Sequence, residues 1–335
     1  MKKIIFLLLI FPLVFTLTIP CFGKAYKKLG TAGMKFLEID PCARSAAMGG
    51  ASNVILKDAS AIFLNPAGLA FVSNIDFIFS YNSWIADINQ YAFGGAVNLN
   101  EIGLGWLGGT LGASLLYIDN GEMIRTEYLP MFDDYYEYPD PYTIEEWAAG
   151  IAYARSITDK FSFGGHIKYA VQDFGNVTVR KYFEKDTSSV ENRLSPVVLD
   201  FGTIYNTGFH DLQISMSFRN FAQEVIYVLD KFELPISMRI GIAMNVFKMS
   251  NQSLMIAIDA VHPRDYTERI HLGAEYLFHG LALRAGYKFN YDEENFSAGF
   301  GINKNIGGSV LKIDYAFTSF GIFNAVQRFS IGFSF

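Results

Sequence analysis

Five histidines, His166, His210, His262, His271 and His279, are the side chains of this sequence best suited to proton transfer or metal ligation. Their spacing supports neither. There is no His-x-x-x-His or Cys-x-x-Cys arrangement, which would set two donors on one metal, and no Walker or dinucleotide fingerprint. His166 and His271 read as polar lining of a wall. Cys42 is the one cysteine left if a leader containing Cys21 is cut away, and a single thiol makes no internal disulfide. These residues lead to an expectation of no enzyme, no metal and no cofactor.

The charges say more, because of where they stand. Lys168, Asp259, Glu275, Arg284, Lys288, Lys312 and Asp314 all fall inside segments that alternate between apolar and polar or tiny residues. In one segment Phe161, Phe163, Ile167, Tyr169 and Val171 alternate with Ser162, Gly164, His166, Lys168 and Gln172. In another Leu281, Leu283, Ala285, Tyr287 and Phe289 alternate with Ala282, Arg284, Gly286, Lys288 and Asn290. Successive side chains of a strand point to opposite faces, so each segment has a greasy face and a wet one. A soluble sandwich would turn the greasy face inward. The segments are about ten residues long, however, which is enough to cross a bilayer with tilt. A water-containing lumen also accepts charges in mid-strand. The chain ends with Phe329, Ile331, Phe333 and Phe335 on one face, like the assembly signal of outer-membrane barrels.

Segments near 74–82, 86–98, 104–118, 147–157, 160–173, 197–207, 210–219, 236–247, 252–262, 267–278, 280–291, 294–304, 309–318 and 327–335 give fourteen strands, an even number. The three longest connections, near 119–146, 174–196 and 220–235, follow strands three, five and seven. That parity puts the long loops on one side and both chain ends on the other. The predicted fold is an all-β transmembrane barrel of about 14 antiparallel strands at 73–335, with a short N-terminal plug or hatch at 24–72 in the lumen. Residues 1–23 read as a signal peptide: Lys2 and Lys3, an apolar run Ile4–Ile19 broken by Pro12, then small residues near Gly23 and Ala25. A retained anchor, and a lipid anchor on Cys21, are the weaker alternatives. The expected location is a Gram-negative-type outer membrane, with its lipids and the barrel-assembly machinery as partners. The net charge of −6 argues against nucleic acid.

The 119–146 loop holds nine acids against the single base Arg125, together with five tyrosines. Asp133, Asp134, Tyr135, Tyr136 and Tyr138 are its candidates for partner binding. Gly105, Gly108, Gly109 and Gly112 read as flat barrel wall. Phe221, Val225, Val228 and Phe232 have the spacing of a short lid helix, or else extend a strand.

Before the barrel stand Phe36-Leu37-x-Ile39, Ala43-Arg44, Ala47-Met48-Gly49-Gly50-Ala51, Asp58-Ala59 and Asn65-Pro66-Ala67-Gly68-Leu69. In this pattern the chain resembles the PorV/PorQ family of outer-membrane proteins, distant relatives of the FadL long-chain fatty-acid transporters. Leu234-Pro235 and Arg239-x-Gly241 match more weakly, and Cys42 replaces the usual Gly or Ser. The resemblance implies a part in type IX secretion, with extracellular loops binding the translocon, exported proteins or surface-attachment proteins. FadL-like uptake of a hydrophobic molecule is the second reading, and a purely structural barrel the third. Within the motif, Gly49 and Gly50 suit tight turns or close approach, Asn65-Pro66 suits a turn, and Arg44 and Asp58 are candidates for a lumenal charge pair.

Overall fold

The computed structural model describes residues 30–335 except 125, 130–133, 138–140, 181–186 and 228–229. The expected leader, Asp133 and Tyr138 lie outside the described residues. The strands are β1 (Ile75–Ser83), β2 (Asn89–Asn98), β3 (Thr110–Asp119), β4 (Thr126–Leu129), β5 (Asp134–Glu137), β6 (Glu145–Ser156), β7 (Phe161–Arg180), β8 (Thr187–Leu194) and β9 (Val197–Asn206). Beyond them come β10 (Gln213–Phe221), β11 (Val225–Tyr227), β12 (Asp230–Phe232), β13 (Ser237–Met249), β14 (Gln252–Pro263), β15 (Arg269–Phe278), β16 (Leu281–Phe289), β17 (Glu294–Ile306), β18 (Ser309–Phe320) and β19 (Val326–Ser334).

Fourteen of these are the staves of one closed antiparallel barrel. The seam joins the two ends of the sheet, with β1 paired to β19 from Asp76 opposite Ser334 to Ser83 opposite Gln327. Closure leaves no free edge, as a sheet in hydrocarbon requires. β8 is not a separate stave, because it continues the line of β9 along the far half of β7. The hairpins β4–β5 and β11–β12 stand in two of the long connections. The segment with helical spacing is therefore a hairpin, with Val225 and Phe232 paired across it. Val228 lies outside the described residues.

Alternation decides which way each stave faces. Phe77, Phe79, Phe329, Ile331 and Phe333 are 40–48 % exposed, whereas Ser80, Asn82, Arg328 and Ser330 between them are at most 2 % exposed. Outward rings meet across strands, as in Phe300–Tyr315 at 5.4 Å and Tyr315–Phe329 at 4.9 Å. An apolar band outside with a polar face inside is the pattern of a barrel set in lipid. One expected strand start moves. β3 begins at Thr110 instead of near 104, because Gly103, Gly108 and Gly109 take positive φ and turn the chain. Of the glycines read as wall there, only Gly112 is in the sheet.

Candidate functional site in the lumen

The residues from Gly33 to Val72 are bonded to the wet faces of staves around the barrel. They form a 3-10 turn (Lys35–Glu38), a five-residue helix α1 (Ala43–Ala47) and two further 3-10 turns (Ala59–Phe63 and Pro66–Phe71). The last turn starts as its sequence suggests. Asn65 Oδ1 accepts the Ala67 amide at 3.1 Å, and Pro66 occupies the first position, where an N–H would go unused. Gly49 and Gly50 have φ of 64° and 75°, left-handed values that glycine adopts without cost.

The wall is cut back to glycine where this segment touches it. A Cβ on Gly286 of β16 would lie 2.1 Å from the Gly49 nitrogen, and one on Gly273 of β15 would lie 2.5 Å from the Met48 oxygen. On the far side, a Cβ on Gly164 of β7 would lie 2.4 Å from the Pro66 carbonyl carbon. Gly68 serves the same end within the segment, where a Cβ would meet the Leu56 oxygen at 2.2 Å.

Charge pairs then lock the segment in register. Glu275 of β15 accepts Arg44 Nε and Nη2 at 2.9 and 2.7 Å, and Arg284 Nε at 2.6 Å. Arg284 of β16 also reaches Asp314 of β18 at 2.6 Å, across β17, because Gly301 stands between them. At the seam, Lys312 donates to Asp58 at 2.9 Å and to Asp76 at 3.3 Å. Asp259 of β14 accepts the Ser52 and Asn53 amides, both at 2.9 Å. Arg44 and Asp58 are thus not paired with each other. The strands' stagger brings each of them to a wall residue of opposite charge.

Burial alone would raise the Asp58 carboxyl. The Lys312 ammonium, the Ser60 hydroxyl and the Arg44 guanidinium outweigh it and bring Asp58 to about 2. A carboxylate depressed on folding stabilises fully above its unfolded value, and that stability is lost as pH falls through the folded value. Amide protection in residues 57–64, relative to the intrinsic rate at each pH, is therefore expected to stay high at pH 5 and to fall towards pH 2, with Asp58→Asn weakly protected at both. Equal wild-type protection at pH 5 and pH 2 would remove Asp58 from the clasp.

One arrangement has the connectivity of a nucleophilic triad. Ser114 Oγ lies 2.9 Å from His166 Nε2, and His166 Nδ1 lies 3.2 Å from Asp200 Oδ2. Its surroundings are structural. The adjoining cavity is about 20 Å³, one water's room. Ser114 sits mid-ladder between Gly94 and Gly150, so the neighbouring amides are committed to the sheet. Asp200 is also held by Lys168 at 2.7 Å and by the Asn220 amide at 2.8 Å. Asn220 has φ 59° at a break in the β9–β10 register, a bulge that turns it inward beside Arg219, which is inward already by alternation.

Above the segment, at the end with the long connections, lies a chamber of about 700 Å³. Phe36, Ile39, Trp84, Ile118 and Phe174 supply apolar lining, and Arg219, Arg239 and Arg269 line it as well. Residues 33–36 and 38–40 form part of its surface.

All seven charges selected from the alternation, Lys168, Asp259, Glu275, Arg284, Lys288, Lys312 and Asp314, lie on the inward face and all but Asp259 are in ion pairs. Asp259 is bonded to amides. His166 and His271 face the same way. Phe329, Ile331 and Phe333 face outward on β19, and Phe335 follows it, donating its amide to Ile75. Tyr135 and Tyr136 are exposed on β5, which also carries Asp134. Sequence reasoning missed Asp76, Asp200, Arg219 and Arg328 as inward residues. Asp200 carried a usable signal, a carboxylate in line with Val198 and Gly202 and alternating with Leu199 and Phe201. Arg219 carried one as well, in line with Ser215 and Ser217 and alternating with Met216 and Phe218, and only Asn220 depends on the bulge.

A scan against known protein families returned no match, and neither did a search of curated proteins. Solved structures do match. The Pseudomonas putida toluene transporter TodX aligns with a TM-score of 0.56 at 12% identity, covering 87% of this chain and 96% of that one. The Ralstonia pickettii toluene transporter TbuX gives 0.54 at 10%, covering 87% and 97%. A Pseudomonas aeruginosa FadL homologue gives 0.54 at 11%, covering 88% and 97%. The barrel therefore has the fold of these Gram-negative outer-membrane channels.

Proposed function

We propose that this protein is an outer-membrane channel for small hydrophobic molecules, that residues 33–72 act as its plug, and that it catalyses no reaction. The observation that carries the reading is a part-apolar chamber directly above a segment held by a few reversible clasps, inside a barrel of the same fold as named transporters. The chamber offers an entering molecule apolar contact, and the plug blocks its way onward. Release needs the Arg44 and Asp58 clasps to open. The Ser114 network supports the non-catalytic part of the reading, since its hydroxyl has no room for an acyl group. Type IX secretion, implied by the motif segment, rests on that resemblance alone, and the structural likeness favours transport. Of the seven lumenal charges, Asp259, Glu275 and Lys312 bond residues 33–72, and the other four pair within the wall.

The test is uptake of labelled toluene by Gram-negative cells that lack their own channel and express this chain. A several-fold faster initial uptake than vector-only cells is expected. No increase, with barrels present in the outer membrane, would reject the transport reading, and co-purification with secretion translocon components would favour the other.

A further inference from the structure

We infer, independently of the transport reading, that the turn between β2 and β3, residues 99–109, is seated in the periplasmic leaflet of the outer membrane, with phospholipid as its partner. The turn stands on the rim opposite the long connections, the side that faces the periplasm in barrels of this kind. Other turns on that rim, at 250–251, 279–280 and 307–308, are two residues long, so closing β2 on β3 did not require the extra length. The added residues are mostly apolar, unlike those of a water-exposed loop. Trp106 is 80 % exposed, Ile102, Leu104 and Leu107 are 37–49 % exposed, and Glu101 is the one charged residue in the turn.

The turn folds back over the outer face of β6 instead of crossing beneath the lumen. Tyr153 Oη donates to the Gly108 carbonyl at 3.0 Å and to the Leu107 carbonyl at 3.3 Å, and Arg155 Nη1 donates to the Leu107 carbonyl at 3.3 Å. Tyr153 alternates with the inward Ala152 and Ala154, and it shares the outward face with Ile151 and with Leu111 across the β3–β6 pair. Gly108 and Gly109, at φ 61° and 82°, allow the reversal, and a Cβ on Gly109 would lie 2.5 Å from the Ala154 oxygen. The turn is thus joined directly to the lipid-facing band. Ile157, 64 % exposed, begins the next turn along the same rim.

Its backbone is also largely satisfied without water. The amides of Leu99, Glu101, Leu104, Leu107 and Gly108 bond carbonyls within residues 98–109, and the Leu107 and Gly108 carbonyls take Tyr153 and Arg155. Unsatisfied backbone groups are what keep loops out of lipid. An exposed tryptophan is favoured at headgroup level, where its apolar ring and its N–H are both accommodated. Seated there, the turn acts as a foot that fixes the depth of the barrel on its β2–β3–β6 side.

Tryptophan fluorescence of the protein reconstituted in phosphatidylcholine vesicles is the test. Trp106→Phe should keep the wild-type thermal midpoint in detergent, since the ring is exposed. The difference in emission between wild type and Trp106→Phe then isolates Trp106 from Trp84 and Trp147. That contribution is expected to lie to the blue of tryptophan in water and to fall several-fold in lipid brominated high on its acyl chains. Iodide present on both sides of the vesicle should remove little of it. Both leaflets carry the same lipid, so either direction of insertion gives the same result. Trp84, which lines the chamber, is the control: in Trp106→Phe/Trp147→Phe the brominated lipid should leave the emission unchanged. Quenching of Trp106 by iodide and not by brominated lipid would place the turn in water and overturn the inference, with the transport reading untouched.

Discussion

Glu275→Ala is expected to release the proposed plug, residues 33–72, from the wall and to cost about 3–5 kcal/mol, the usual penalty for stranding a buried charge. Glu275 is 1 % exposed and is the only carboxylate paired with Arg44 among the described residues. Without it, Arg44 keeps one long contact, to the Ile55 carbonyl at 3.5 Å. Arg284 keeps Asp314 and so stays neutralised. The damage should therefore fall on the plug side of the network, leaving the β15–β16–β17 wall in place. Trypsin cleavage after Arg44 in outer-membrane vesicles is the direct readout, with the urea midpoint beside it. Cleavage should be much faster in Glu275→Ala than in wild type. Glu275→Ala/Arg44→Gln should be less destabilised than the two single changes combined, since it removes both halves of one pair. Wild-type cleavage and midpoint in Glu275→Ala would mean that the fork contributes nothing.

Gly286→Val is expected to displace the plug by steric conflict instead of lost charge. The new Cβ would stand 2.1 Å from the Gly49 nitrogen and 2.2 Å from the Met48 carbonyl carbon. Overpacking of side chains costs about 1–3 kcal/mol, and it does so because side chains can give way. Here both neighbours are backbone, and Gly49 is already committed to a left-handed turn. The helix α1 should therefore lift from β16. Hydrogen exchange across residues 43–51 should lose its protection, and single-channel recordings should show more frequent opening. Gly165→Ala is the matched control, because that glycine faces outward and the nearest atom to its Cβ would be 3.9 Å away. If Gly286→Val kept full protection at 43–51, close approach of the plug backbone to the wall would be wrong.

Most of the barrel was legible because its signal is local. A period of two is a property of neighbouring residues, so Phe329, Ile331 and Phe333 declare one face and Arg328, Ser330 and Gly332 the other without knowledge of any partner strand. Stave count and loop parity follow from repeating that reading along the chain. Two errors have equally local causes. The glycines near 103–109 look as small as wall residues, yet positive φ turns them out of the sheet. The spacing of Phe221, Val225 and Phe232 fits a helix and a bent hairpin alike.

The candidate site was only half legible. Glu275, Arg284 and Asp314 announce themselves as charges in the wet register, and Arg44, Gly49 and Asn65 as parts of a motif. Sequence alone determined the type and facing of these side chains, because backbone geometry sets both over a few residues. Tertiary structure decided who meets whom. The stagger of a closed sheet brings Arg44 to Glu275, 231 positions away in the chain, and sends Asp58 to Lys312. It sets Gly286 under Gly49, and it makes Arg219 and Arg239 diagonal neighbours on β10 and β13. Such partnerships are made across the lumen by shear and closure, which no short window of residues encodes.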